Sequence, residues 1–258
     1  MRTSKHLRQC KWMRGSFVAS HVMCGVTLLI WFKRTKGVDS RMLSSSLREF
    51  LQEATEAYVE QRTPDFWEYV ESRNLNEDQV EEFALGLVDD PLPGHEMFRD
   101  HVCIPYLTPN GTVAMKFRNL DPNAKQKYNS PAGQPLHLYN VRSLWSDRSY
   151  VTIVEGEFDT IAADWANLNP IGIAGTSGWK EYFSRCIKGF ATVYVVLDND
   201  RPNEDDRNPG QDAARKMCER LPNARNIVLP VGVDISEYAS LHGSDALSKL
   251  VLGDGDTQ

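Results

Sequence analysis

Acidic side chains stand where three of the predicted strands end. They are Glu155, Asp198, Asp200 and Asp234. Because ligand sites of open parallel sheets lie outside the carboxyl ends of the strands, we expect these carboxylates to meet at one edge. Carboxylates gathered at one place repel each other unless a cation joins them, and Mg²⁺ and Mn²⁺ are hard divalent ions that favour oxygen ligands. Such ions usually accompany phosphate groups, so the pattern predicts phosphoryl-transfer chemistry.

Each of these acids also has a simpler interpretation. A single Asp after a strand is most often a helix cap or a turn residue. Acids in the first turns of a helix complement its dipole, which applies to Glu157, Asp159 and Asp164. Acids at the ends of three strands of one series are hard to obtain by accident, which favours the metal site. For Asp159 the sequence leaves both roles open.

The elements that must position these acids alternate between strand and helix. The predicted strands are 150–154, 170–174, 191–197 and 226–229. The predicted helices are 157–167, 179–187 and 210–221, with short helices opened by Asp234 and Asp245. Buried apolar strands that alternate with helices predict a parallel sheet covered on both faces, which is an α/β fold.

Three helices and a hairpin are predicted upstream of this sheet. The helix starts are a capping box at Ser46-Leu-Arg-Glu49, the pair Thr63-Pro64, and Asn76. The apolar period then changes to two in 102–107 and 112–118, which predicts a hairpin with its turn at 108–111. The second strand leads into a basic, amide-rich loop at 119–131.

Charge is distributed unevenly along the 258 residues, whose net charge is −6. Residues 1–41 carry +8, 42–105 carry −11, 106–148 carry +4 and 149–258 carry −7. A basic strip between two acidic blocks suits selective contact with a polyanion such as nucleic acid.

The N-terminal residues 1–41 differ in composition from the rest. We expect a disordered segment, or one that is not made at all because translation starts at Met42; a basic arm for nucleic acid and a weak targeting segment are alternatives. The longest apolar run has eight residues, short of the roughly 20 that span a bilayer. The five cysteines include no CxxC pair, which indicates neither a zinc site nor a disulfide framework and favours a reducing cytoplasm.

Several motifs together resemble the Toprim domain of bacterial-type DNA primases. They are Val154-Glu-Gly-Glu-Phe-Asp159, Gly175-Thr176, Leu197-Asp-Asn-Asp200 and Asp234-Ile-Ser-Glu237. Upstream, the segments Trp67–Leu75 and Phe83–Gly86 are similar to the helical start of the primase core, and Lys127-Tyr-Asn-Ser-Pro131 to its basic subdomain. The resemblance runs from about residue 65 to 245 and is closest to the phage-like members. It implies a helical segment at 42–92, a basic α+β subdomain at 93–148 and a Toprim domain at 149–258.

The resemblance implies a DNA-directed RNA polymerase that makes RNA primers on single-stranded DNA from nucleoside triphosphates. Catalysis would depend on Glu155, Asp198 and Asp200, which hold two Mg²⁺ or Mn²⁺ ions with Asp159 and Asp234 near them. The implied nucleic-acid or substrate contacts are Arg118, Lys127 and Asn129. The implied partners are a separate zinc-binding module and a replicative helicase, with no membrane.

Three departures from the family pattern leave open the choice of template and whether the chain is active in isolation. No cysteine–histidine ligand set is present, the loop 201–209 is longer than the usual spacer, and an expected basic residue before Leu138-Tyr139 is missing or replaced by His137. The alternatives to a primase are another Toprim enzyme such as a nuclease, and a non-catalytic DNA-binding subunit of a replication complex.

Overall fold

A computed structural model describes residues 43–121, 123–202, 204–205 and 207–253. The chain divides into two compact units, residues 1–43 and 44–258, and the elements below belong to the second. The predictions for residues 1–41 and for a start at Met42 lie outside the described residues.

Three helices precede the sheets. Helices α1, α2 and α3 span Ser45–Glu60, Pro64–Ser72 and Glu77–Glu82. Thr63 and Asn76 cap α2 and α3 with their side chains, as predicted. The predicted capping box at Ser46–Glu49 is wrong, because the Ser44 side chain accepts from the Leu47 N–H and caps α1. Three consecutive serines can each serve as a cap, and the helix uses the first of them.

The first sheet is antiparallel and has four strands in chain order. Strands β1 to β4 span Gly86–Leu87, His101–Thr108, Gly111–Asn119 and Tyr128–Asn129. The predicted hairpin is confirmed as β2 and β3. Arg118 of β3 lies opposite Tyr128 of β4, and Phe117 lies opposite Asn129. Because side chains alternate between the faces of a strand, Arg118 and Asn129 belong to opposite faces of this sheet.

The second sheet is parallel, as predicted, with the order β6-β5-β7-β8. Strands β5 to β8 span Tyr150–Glu155, Pro170–Ile173, Thr192–Val196 and Ala224–Asn226. Helices α4 to α7 span Glu157–Trp165, Pro209–Arg220, Ile235–His242 and Ser244–Leu252. Helix α5 packs into the core on one face of the sheet, and α4, α6 and α7 pack on the other. The fourth predicted strand, 226–229, lies almost wholly beyond β8, because pairing with β7 ends at Asn226.

The predicted helix 179–187 is wrong. The 3₁₀ helix Glu181–Arg185 stands there instead, and other 3₁₀ helices span Thr176–Gly178, Glu96–Phe98 and Val141–Trp145. Trp179 and Lys180 are extended, with ψ of 129° and 141°, so no continuous helix forms. The extended pair lets Phe183 enter the core beside α5, with Trp179 half-buried against it.

One apolar core packs the upstream helices, the antiparallel sheet and α4 together. It contains Phe66 of α2, Val80 of α3, Ile104 of β2 and Phe158 of α4, each at most 1% exposed. The predicted boundaries at residues 92 and 148 therefore fall within one packed unit and remain predictions. Within the described residues, no helix combines the length and apolar character needed to cross a membrane.

Candidate active site at the carboxyl edge of the parallel sheet

Glu155 is the last residue of β5, and its side chain is at the centre of the acidic edge. Gly156 follows with φ of +81°, a left-handed conformation that glycine adopts readily. Backbone N–H groups of Thr176 and Asp198 donate to the Glu155 carboxylate, yet its Oε2 is buried and has no hydrogen-bond partner. Burial is the main cause of the raised pKa of Glu155, and the charges of Asp200 and Asp159 add to it.

Asp198 and Asp200 are held by the start of α5. The Gln211 amide lies 3.2 Å from the Leu197 carbonyl and 3.3 Å from that of Asp198, and the Asn208 amide donates to the Asp200 carbonyl at 2.7 Å. Burial, followed by the Glu155 and Asp200 charges, raises the pKa of Asp198 to about 7. The helix start therefore fixes the backbone of both acids beside β5.

Asp159 and Asp234 complete the acidic edge from α4 and α6. Asp159 Oδ1 accepts from the Ser236 N–H at 2.9 Å, and Asp234 caps α6 by accepting from the Glu237 N–H at 2.7 Å. Burial, followed by the Asp234 charge, raises the pKa of Asp159 to about 7. Asp234 is thus a helix cap, the simpler role, and is also close enough to Asp159 and Asp198 to oppose their ionisation.

The five acids make no ion pair with Lys, Arg or His in the part of the chain that the structure describes. Within that same part, no group of three or more His, Cys, Asp or Glu side chains is arranged to hold a metal ion. The donor set is nonetheless all carboxylate, which suits a hard divalent cation, and Glu155 Oε2 is a buried acceptor with nothing to accept from. These residues fit Mg²⁺ or Mn²⁺ in chemistry, although their side chains do not form a complete ligand set.

The three predicted nucleic-acid contacts are not brought together. Arg118 donates from Nε to the Tyr69 hydroxyl at 2.8 Å, and its guanidinium lies 4.5 Å from the centre of the Tyr128 ring. The Asn129 amide is 3.2 Å from His101 Nε2 on the other face of the sheet. Lys127 is exposed just before β4. Arg118 is the one of the three that aromatic side chains hold in a fixed position.

A buried ion pair beside the site was missed in the sequence. Lys116 Nζ lies 2.8 and 3.0 Å from the two carboxylate oxygens of Glu157, and the Tyr106 hydroxyl donates to the same carboxylate at 2.6 Å. Glu157 is 1% exposed and Lys116 14%. The only feature of the sequence that could have indicated this pair is Glu157, an acid on an otherwise apolar face of its helix. Since its charge is already satisfied, Lys116 is not free to contact a polyanion.

Arg73 was also missed. It ends α2, its Nε is buried without a hydrogen-bond partner, and its guanidinium lies 5.8 Å from the centre of the Phe158 ring. A cavity of about 310 Å³ is lined by Arg73, Asp234, Ser236 and Glu237 among others. Arg73 therefore places a cation beside the acids, in a cavity that also contains two carboxylates.

No protein-family profile matches the sequence. The gene 57 protein of Mycobacterium phage D29 is 31% identical over 156 residues, which are 58% of this chain and 97% of that protein. Among solved structures, the Escherichia coli primase catalytic core has a TM-score of 0.63 at 20% identity, covering 80% of this chain and 79% of that one.

Two further solved structures are similar. The DnaG primase catalytic domain bound to single-stranded DNA has a TM-score of 0.62 at 20% identity, covering 80% of this chain and 79% of that one. The primase fragment of the bacteriophage T7 primase-helicase protein has a TM-score of 0.52 at 18% identity, covering 70% and 72%. At these identities the likeness shows a shared fold.

Proposed function

The chain belongs to the same family as the gene 57 protein of Mycobacterium phage D29 and has the fold of the bacterial primase catalytic core; from this premise we propose that it is a DNA primase core. It would make RNA primers on single-stranded DNA by nucleotidyl transfer during replication, in the cytoplasm of the host cell. The observation that carries the proposal is the gathering of five acids, Glu155 and Asp198 among them, at the carboxyl edge of the sheet without a cationic partner among the described residues.

We assign the metal ligands to Glu155, Asp198 and Asp200, with Asp159 and Asp234 near the ions. Two bound Mg²⁺ or Mn²⁺ ions would activate the 3′-hydroxyl of the growing primer and stabilise the leaving pyrophosphate. The protein keeps Glu155 and Asp198 half-buried on backbone hydrogen bonds, so their positions do not depend on a cation. Asp159 is in α4, where its carboxylate accepts from the Ser236 N–H, and it lies beside them.

Three cationic side chains are proposed as substrate contacts. Arg73 lines the cavity that also contains Asp234 and Glu237, and we propose its guanidinium as a contact for a nucleotide phosphate. Arg118 is positioned by Tyr69 and Tyr128 and offers its remaining donors to a phosphate. Lys127, exposed and without an ion pair among the described residues, would make a point-charge contact with the template backbone.

Two related proteins inform the proposed partners. One similar catalytic domain is bound to single-stranded DNA, and another belongs to a primase-helicase. We propose single-stranded DNA and nucleoside triphosphates as ligands of this chain. A separate zinc-binding module and a replicative helicase are proposed as protein partners.

Primer synthesis tests the proposal. The full chain is incubated with single-stranded DNA, radiolabelled nucleoside triphosphates and Mg²⁺ or Mn²⁺, with and without a separate zinc module. We expect short RNA products that require the divalent ion and disappear in Glu155→Gln, Asp198→Asn and Asp200→Asn. Circular dichroism melting curves serve as the control that these variants fold. Cleavage of DNA without synthesis would identify a nuclease, and binding without either reaction would identify a non-catalytic subunit.

A further inference from the structure

A second groove lies on the outer side of the parallel sheet. It has a volume of about 320 Å³, and one wall is a single face of α5 formed by Pro209, Asp212, Ala213, Lys216, Met217 and Arg220. These positions repeat every three or four residues, which places them in a row along the helix. From Pro209 to Arg220 the row extends about 16 Å at 1.5 Å per residue.

The opposite wall carries an aromatic ring. Trp179 is half-exposed, and its ring centre is 5.9 Å from that of Phe183, which packs into the core. The indole is therefore fixed by packing on one side and open on the other. An indole held in this way is a platform on which a flat, unpaired base can stack.

The charge of the groove is positive. Arg207, Lys216 and Arg220 line it, against the single acid Asp212, which lies 3.6 Å from Arg207. Lys216 is exposed and makes no ion pair among the described residues. Arg220 faces Glu181 at 3.7 Å, and both side chains are mostly exposed, so that pair is weak and easily exchanged for a phosphate.

The groove begins at the acidic edge. Thr176, at its rim, is the residue whose N–H donates to Glu155. On the other wall, the first turn of α5 touches the Asp198 backbone: a Cβ built on Gly210 would lie 2.1 Å from the Asp198 carbonyl oxygen. A strand that leaves the reacting centre on this side would enter the groove directly.

We propose that this groove binds one strand of nucleic acid that extends from the active site, with a base on Trp179 and phosphates on Lys216 and Arg220. Spaced cations along a groove with an aromatic platform are the arrangement that holds single strands without sequence preference. The assignment rests on the proposed function for the identity of the strand. The residues that line the groove include none of the five acids and none of the basic strip of residues 106–148.

Fluorescence anisotropy with labelled 12-nucleotide oligo(dT) and oligo(U) tests the proposal on the full chain, without nucleoside triphosphates. Lys216→Ala/Arg220→Ala should weaken binding and lower the salt slope by about 1.4, since each lost single-strand phosphate contact removes about 0.7. Trp179→Ala should weaken binding at least about five-fold, and Trp179→Phe should retain most of the affinity because it keeps a ring.

The matched control is Lys188→Ala/Arg225→Ala, which removes two exposed charges that do not line the groove. Wild-type affinity in the groove variants, or an equal loss in the control, would overturn the proposal. The proposal would also be overturned if ATP displaced the labelled strand completely and this competition were lost in Trp179→Ala. That result would identify the groove as a pocket for a single nucleotide. Preference for oligo(dT) or for oligo(U) would support the groove and identify its strand as template or primer.

Failure of this proposal is distinguishable from failure of the proposed function. If no primer is made but the groove variants bind single strands more weakly than the control, the groove is confirmed and the primase assignment is wrong. If primers are made and all groove variants bind as the wild type does, the groove assignment alone is wrong.

Discussion

Asp159 and Asp198 are held in place by backbone groups and helix starts, with no cationic side chain among the described residues to offset their charge. Burial and mutual repulsion raise the pKa of each to about 7. Gathering them therefore costs folding free energy that a neutral edge would not cost. Such a cost is typical of sites where charge is needed for ligand binding.

Arg118 and Lys127 should differ in what their removal changes. Lys127→Ala removes an exposed charge, so we expect unchanged thermal stability and a single-strand salt slope lower by about 0.7. Arg118→Ala also removes the hydrogen bond to Tyr69 and the stacking on Tyr128, so its melting temperature should fall as well. Anisotropy across a salt series and thermal melts measure both. Equal effects of the two substitutions on stability would contradict the fixed position of Arg118.

Lys116 of β3 and Glu157 of α4 form one buried ion pair between the antiparallel sheet and the helix that follows β5. Glu157→Gln leaves the Lys116 ammonium, 14% exposed, without its counter-charge. We expect the free energy of unfolding to fall by about 3–5 kcal/mol, the usual result of removing one partner of a buried pair. Urea unfolding measures this loss. The double variant Lys116→Met/Glu157→Gln keeps an acceptor for Tyr106 and should recover most of the stability; if it does not, the loss came from packing.

At the scale of elements, the start of α5 fixes the two acids that follow β7. Gly210 has no side chain, and this allows the first turn of the helix to lie against the Asp198 carbonyl. Asn208 caps the helix and also bonds the Asp200 carbonyl, so one loop both starts the helix and holds the acid. The position of the acids thus depends on the packing of a helix that carries none of them.

Gly210→Ala tests this dependence. Its Cβ would lie 2.1 Å from the Asp198 carbonyl oxygen, closer than atoms can approach, so α5 or the Asp198 backbone must shift. We expect primer synthesis to fall at least ten-fold and the melting temperature to decrease. Gly189→Ala is the matched control, because nothing lies within 4 Å of its Cβ. If Gly210→Ala keeps full activity, the acids do not need α5 in this position.

At the scale of the whole molecule, a histidine outside the acidic edge contributes to how stability depends on pH. His95 is 4% exposed and lies among the rings of Phe50, Phe98 and Phe117. Its Nδ1 lies 2.9 Å from the Tyr58 hydroxyl. That hydroxyl already accepts from the Leu92 N–H, so the arrangement suits a neutral imidazole that accepts the Tyr58 proton. Burial lowers the pKa of His95.

The lowered pKa of His95 gives a prediction with a definite sign. As pH falls through about 6.5, the unfolded chain takes up a proton at this histidine before the folded chain does, so the stability contributed by neutral His95 is lost below that pH. We expect urea unfolding to show that the stability advantage of the wild type over His95→Asn shrinks between pH 7 and pH 5. The carboxyls with raised pKa act in the opposite direction in both proteins and cancel in the comparison. Parallel pH curves would contradict a buried neutral His95.

The sequence by itself determined the features that depend on residues close together in the chain and on the order of strands and helices. The caps at Thr63 and Asn76, the β2–β3 hairpin and the parallel order that brings Glu155 and Asp198 to one edge follow from local hydrogen bonding, apolar periodicity and sheet topology. The helix expected at 179–187 failed because burying Phe183, with Trp179 packed partly against the same core, outweighs the local preference of that segment.

Only the tertiary structure decided which distant side chains meet. Arg73 lines a cavity with Asp234, and Lys116 pairs with Glu157. The two residues of each pair are far apart in sequence, so the apolar periodicity of a segment cannot predict that they meet. Arg118 and Asn129, close in sequence, are turned to opposite faces because β4 pairs with β3 in one register. Such contacts are set by the packing of whole elements on a shared core. The free energy of that packing depends on several elements together, so no single segment of the sequence predicts it.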